Sequence, residues 1–150
     1  MKQIILFLVF SSSSVLAQSG KNSVSLIYEK DTSVWQYHGI ICSLINNTDS
    51  ILTCHVSDIW YNINLEVITP RLSYKFLKSG IWKDDDRMYC GNGYEKTHTL
   101  HPGESIRFCT TTDDFRSSAS AIKIGVSLCP EHYTTYKDCR TIWSDEIPIH

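Results

Sequence analysis

Ala121-Ile122-Lys123-Ile124-Gly125-Val126-Ser127-Leu128 places an apolar side chain at every second position, with Lys123, Gly125 and Ser127 between them. Successive side chains of a strand point to opposite faces, so this stretch predicts a half-buried β-strand. Working outward, residues 141–149 are expected to return beside it. Upstream, short runs rich in Val, Ile, Thr, Tyr and Trp recur between Gly, Pro, Asn, Asp and Ser clusters, which predicts strands at 24–28, 39–45, 51–56, 62–69, 71–77, 96–100 and 105–110. Helical periodicity is nearly absent.

The connections suggest how these strands pair. Asn46-Asn47-Thr48-Asp49-Ser50 suits a five-residue hairpin loop between 39–45 and 51–56. A register that sets Ile40 opposite Val56, Cys42 opposite Cys54 and Leu44 opposite Leu52 makes one face wholly apolar, and a one-residue slip would exchange the faces. That register predicts a Cys42–Cys54 cross-strand disulfide. His101-Pro102-Gly103-Glu104 is expected to turn 96–100 into 105–110 in the same way. About eight or nine short strands at this spacing predict an all-β domain, an antiparallel immunoglobulin-like sandwich reinforced by disulfides. The antibody-type Cys-Trp-Cys pattern is missing, so the likeness is architectural.

Residues 1–17 read as a signal peptide, with Lys2 as the positive end, residues 4–10 as the apolar stretch and Val15-Leu16-Ala17 as the cleavage site. The expected mature domain, 18–150, is secreted or periplasmic, has no membrane span, and holds all six cysteines. Three disulfides among six cysteines allow 15 connectivities. Beside Cys42–Cys54, the return of the last strand pairs Cys129 with Cys139, leaving Cys90 with Cys109. No Cys-x-x-Cys pair favours zinc. The mature domain carries 13 basic and 16 acidic residues, dispersed without a Lys/Arg cluster, which excludes nucleic acid as an expected partner.

Asn46-Asn47-Thr48-Asp49, Tyr89-Cys90-Gly91-Asn92-Gly93, the run Leu100-His101-Pro102-Gly103-Glu104-Ser105-Ile106-Arg107-Phe108 and the closing Ile142-Trp143-Ser144-Asp145-Glu146-Ile147 resemble small exported bacterial proteins of immunoglobulin-like fold, most of which lack an assigned activity. More distantly, the Pro-Gly-Glu turn followed by Phe is similar to one in bacterial β-sandwich proteinase inhibitors. The resemblance implies the fold and carries over no functional residue. The chain departs from those inhibitors in its leader and its cysteines.

Candidate chemistry is sparse. His98-x-x-His101 has the wrong phase for two ligands on one strand face, and Asp84-Asp85-Asp86 lacks the ligand spacing of a calcium loop, so no metal and no cofactor is expected. No nucleophile elbow, zincin motif or phosphate loop occurs, and no enzyme activity is expected. The aromatic balance is more informative: the mature domain has four Trp and eight Tyr against three Phe, rings with a polar handle suited to interfaces. Trp60, Tyr61, Tyr74, Trp82, Tyr89 and Tyr94 surround the segment 78–93, and Trp82, Asp84, Asp85, Arg87, Tyr89 and Tyr94 are the expected binding residues. The competing structural reading has Trp60 and Trp82 capping the ends of the core. The expected function is a secreted non-catalytic domain that binds another extracytoplasmic protein, including as inhibitor or neutraliser of an exported enzyme. The alternative is a carbohydrate-binding module that stacks a glycan on exposed Trp and Tyr. Coplanar open rings would favour sugar, and a convex loop with an aromatic tip would favour protein. Asn46-Asn47-Thr48 is also an N-glycosylation acceptor if the source is eukaryotic.

Overall fold

The computed structural model describes residues 23–34, 37–57, 69–85 and 96–149. The expected leader, residues 62–68 of the strand expected over 62–69, Trp60, Tyr61, Asp86 and Cys90 lie outside them. The described residues form two antiparallel sheets facing each other across one core. Sheet A contains β1 (Val24–Val34), β2 (Tyr37–Asn46) and β8 (Ser105–Thr111), in the order β1-β2-β8. Sheet B contains β3 (Leu52–Ser57), β4 (Thr69–Pro70), β5 (Leu72–Lys78), β6 (Ile81–Asp84), β7 (Lys96–Leu100), β9 (Ala121–Pro130), β10 (Arg140–Trp143) and β11 (Ile147–Pro148). A single helical turn, α1 (Asp113–Arg116), links β8 to β9. No helix among the described residues is long and apolar enough to cross a membrane.

β9 is the hub of sheet B. It pairs with β5, with the end of β3, and with β10 and β11. Its Ile122, Ile124, Val126 and Leu128 point into the core and are buried, as their alternation predicts. The return strand over 141–149 is present but divided at Ser144. There the buried hydroxyl accepts the Ile124 N–H at 3.0 Å and donates to the Asp145 carbonyl at 2.8 Å. A side chain thus satisfies a ladder group that the bend would otherwise strand. Sheet A contributes Leu26, Leu44, Ile106 and Phe108 to the same core. Phe115 of α1 closes one end, its ring 5.1 Å from that of Tyr74 and 6.1 Å from that of Phe76.

Two expected hairpins are instead crossings between sheets. β2 pairs with β1 and β8, whereas β3 pairs with β4, β7 and β9, so residues 46–51 carry the chain from sheet A to sheet B. Likewise β7 belongs to sheet B and β8 to sheet A, and residues 101–104 make the return. The crossings bond to each other: the Asn46 N–H donates to the Glu104 carbonyl at 3.0 Å and the Gly103 N–H to the Asn46 carbonyl at 2.7 Å. The Asn46 amide then donates to the Ser50 and Leu100 carbonyls at 2.8 and 3.0 Å, while its Oδ1 accepts from the Thr48 N–H and hydroxyl at 3.0 and 2.6 Å. Asn46 is fully buried. Its amide nitrogen is committed to two carbonyls, so the folded chain has no room for a glycan there, against the reading of Asn46-Asn47-Thr48 as an acceptor.

The Cys42–Cys54 disulfide falls with the hairpin. Cys42 lies beside Tyr28 and Phe108 in sheet A, and Cys54 beside His98 and Leu128 in sheet B; both are buried free thiols. Burial, with Cys109 and Glu29 nearby, pushes the Cys42 thiol up to about 12, and burial pushes Cys54 up to about 11, so both are inert as nucleophiles. Cys109 is a half-buried thiol on β8, and its expected partner Cys90 lies outside the described residues. Cys129 and Cys139 are bonded as expected.

Candidate functional site

Strand alternation gives sheet B an outer face, away from the core, that carries Lys123, Gly125, Ser127 and Cys129 of β9. From β5 comes Lys75, directly opposite Lys123; from β6, Trp82 and Asp84; from β10, Thr141 and Trp143. Trp82 and Trp143 are half-buried and lie outside the core cluster. Trp82 therefore does not cap the sandwich. Lys123 Nζ lies over the Trp82 ring, 4.9 Å from its centroid, and Lys75 Nζ lies 4.7 Å from that of Trp143, within reach of a cation–π contact worth about 0.5–1 kcal/mol at an exposed site. Gly125 makes this packing possible. A Cβ there would stand 2.8 Å from Thr141 Cγ2 and 2.9 Å from Trp143 Cε3 and Cζ3, so the Trp143 ring rests against glycine backbone.

At the other end of the same face, a loop leaves β9 at Pro130 and is tied at its base by the Cys129–Cys139 bond. Internal bonds fix its shape. The Asp138 carboxylate accepts the Thr135 N–H at 3.2 Å, the Tyr133 N–H reaches the Pro130 carbonyl at 3.2 Å, and a 3-10 turn spans Tyr136–Asp138. Tyr133 and Tyr136 flank His55 of β3. The Tyr133 hydroxyl hydrogen-bonds His55 Nε2 at 3.0 Å, and the His55 ring centroid lies 5.5 Å from that of Tyr136. Tyr136 is 64 % exposed.

Of the segment 78–93, residues 78–85 are described, and they are mostly strand. β5 and β6 form a tight hairpin through Ser79 and Gly80, both with positive φ of 53° and 77°, the geometry of a two-residue primed turn. Trp82 and Asp84 project to one side of β6, and Asp84 pairs with Lys75 at 3.5 Å. Asp85 ends the strand, its N–H donating to the Tyr74 carbonyl at 2.9 Å. Arg87, Tyr89 and Tyr94 lie outside the described residues. The structure thus joins Trp82 and Asp84 to Trp143, Lys75 and Lys123, and places His55, Tyr133 and Tyr136 on the same face. The last three were missed, although a Tyr-x-x-Tyr inside a ten-residue Cys–Cys interval was the available signal.

His98 Nε2 stands 3.9 Å from Glu104 Oε1, and the backbone N–H of His101 donates to Glu104 Oε2 at 2.8 Å, so the His98 ring and the His101 backbone meet the same turn carboxylate. No group of three metal-ligating side chains gathers among the described residues. A cleft of about 130 Å³ lies between His38, Thr112, Arg116 and Ile149, and a second of about 320 Å³ near Lys78 and Ser118 is wide open to solvent. The first is below, and the second at the lower edge of, the roughly 300–1,000 Å³ of sites that enclose small molecules.

No family model matches the chain, and no curated protein matches it. Among solved structures it is similar to one described as the X-ray structure of Northeast Structural Genomics Consortium target SoR45, with a TM-score of 0.41 and 10 % identity over 85 % of this chain and 83 % of that one.

Proposed function

We propose that this chain is an exported, non-catalytic domain that recognises another protein, such as an exported enzyme that it inhibits or neutralises, through the outer face of sheet B and the loop closed by Cys129–Cys139. The observation that carries this reading is Tyr136. It is an aromatic side chain 64 % exposed on a mostly exposed loop held by a disulfide and internal hydrogen bonds. Rigid display lowers the ordering entropy lost on docking, and tyrosine combines a large apolar area with few rotors. From Lys123 to Cys129 the face extends about 20 Å along β9. A disulfide persists in oxidising compartments, which supports export.

The carbohydrate reading is less well supported. A pyranose needs an uncovered ring face, whereas Trp82 and Trp143 each lie beneath an ammonium and Trp143 also rests against Gly125.

The test starts with a partner captured from the native extracellular or periplasmic fraction. Tyr136→Ala is expected to weaken its binding at least tenfold, about 1.4 kcal/mol, while the melting temperature stays at the wild-type value and Tyr136→Phe retains most of the affinity. Unchanged binding by the folded Tyr136→Ala chain would overturn the reading.

A further inference from the structure

Lys75 and Lys123 are direct register partners on adjacent strands, and both point away from the core. Like charges placed opposite one another in this way destabilise a sheet. Their partial compensation is local: each ammonium lies over a tryptophan, and Asp84 approaches Lys75 to 3.5 Å from a position where it is 79 % exposed, so solvent screens that pair. Nor does a generally basic chain explain the arrangement, because the formal net charge is −2.

We propose that the Lys75–Lys123 pair, framed by Trp82 and Trp143, is the anchor for a cluster of carboxylates on an acidic protein partner, a proposal that rests on the protein-recognition reading above. Two ammoniums on neighbouring strands can each donate to one carboxylate of such a cluster, and docking relieves their mutual repulsion. The flanking indoles exclude water from the contact, which strengthens its electrostatics. Opposite charge also speeds encounter between the surfaces. An acidic polysaccharide would satisfy the lysines, but each indole already has an ammonium over it, and the aromatic loop some 20 Å away along β9 would be left without a use.

The probe is immobilised poly-L-glutamate, applied to the full mature chain over a range of salt concentrations. Wild type is expected to bind at low ionic strength and to release as salt rises. Lys75→Gln combined with Lys123→Gln should lower the affinity at least tenfold and flatten the salt dependence. Lys75→Arg with Lys123→Arg should restore binding, which separates lost charge from lost fold. Lys30→Gln with Arg107→Gln, removing two exposed charges on sheet A, should change it less than threefold. Absence of binding by wild type, an equal loss in the Lys30/Arg107 control, or failure of the arginine pair to rescue would overturn the proposal. So would binding to polygalacturonate as tight as to poly-L-glutamate and equally dependent on Lys75 and Lys123, which would identify an acidic polysaccharide as the occupant. Poly-L-glutamate binding reads the lysine anchor and binding of the captured partner by Tyr136→Ala reads the tyrosine-led surface, so the failure of one and the failure of the other register in different assays.

Discussion

Asn46→Ala is expected to destabilise the fold by about 3–5 kcal/mol, since a buried polar group left without its partner costs roughly 1–3 kcal/mol and this side chain serves several at once. It satisfies the carbonyls of Ser50 and Leu100 and both the N–H and hydroxyl of Thr48. Those groups belong to the two crossings between sheets, so deleting one amide loosens both connections. Urea unfolding should show a large fall in midpoint for Asn46→Ala and a change within about 0.5 kcal/mol for Asp49→Ala, an exposed residue of the same segment. Equal, small effects would mean that the crossings are not held by Asn46.

The second large effect concerns the hub strand. Ile124 is fully buried between the sheets, and Ile124→Ala should cost about 2–5 kcal/mol through lost burial and a residual cavity. Lys123→Ala should cost less than about 1 kcal/mol, because it removes a surface cation–π contact with Trp82 and relieves repulsion from Lys75. Denaturant melts of the pair check the assignment. A Lys123 loss as large as the Ile124 loss would contradict the placement of β9.

The contrast between these residues also shows what the sequence could convey. Alternation at Ile122, Ile124, Val126 and Leu128 correctly separated core from outer face because burial acts on each strand alone. At 39–56 the same logic identified the inward side chains, since Ile40, Cys42, Leu44, Leu52 and Cys54 are all buried. It misassigned the pairing. Two strands that face each other across a sandwich bury the same alternating positions as two neighbours in one sheet, so hydrophobic pattern fixes facing and leaves partnership open. What decides partnership here is Asn46, whose role depends on Leu100 and Glu104, more than fifty residues away in the chain. No local signal marks such a residue.

The candidate site was legible to a similar degree. Trp82 and Asp84 were singled out by residue type, and they do share an outer face with Lys75 and Trp143. Their setting on a tight hairpin was hidden because Ser79-Gly80 is a weaker turn signal than Asn-Gly. Tyr133 and Tyr136 drew no notice although the Cys129–Cys139 staple around them was expected. Their standing comes from His55, a β3 residue brought beside them only by the pairing of β3 with β9.

Hydrogen exchange of the chain alone and bound to its captured partner tests the central claim most directly, since docking slows exchange where it covers backbone. The account predicts added protection over residues 130–143 and 81–84, with β1 and β8 of sheet A unchanged. Protection confined to sheet A, with the Tyr136 loop exchanging as in the free chain, would contradict it.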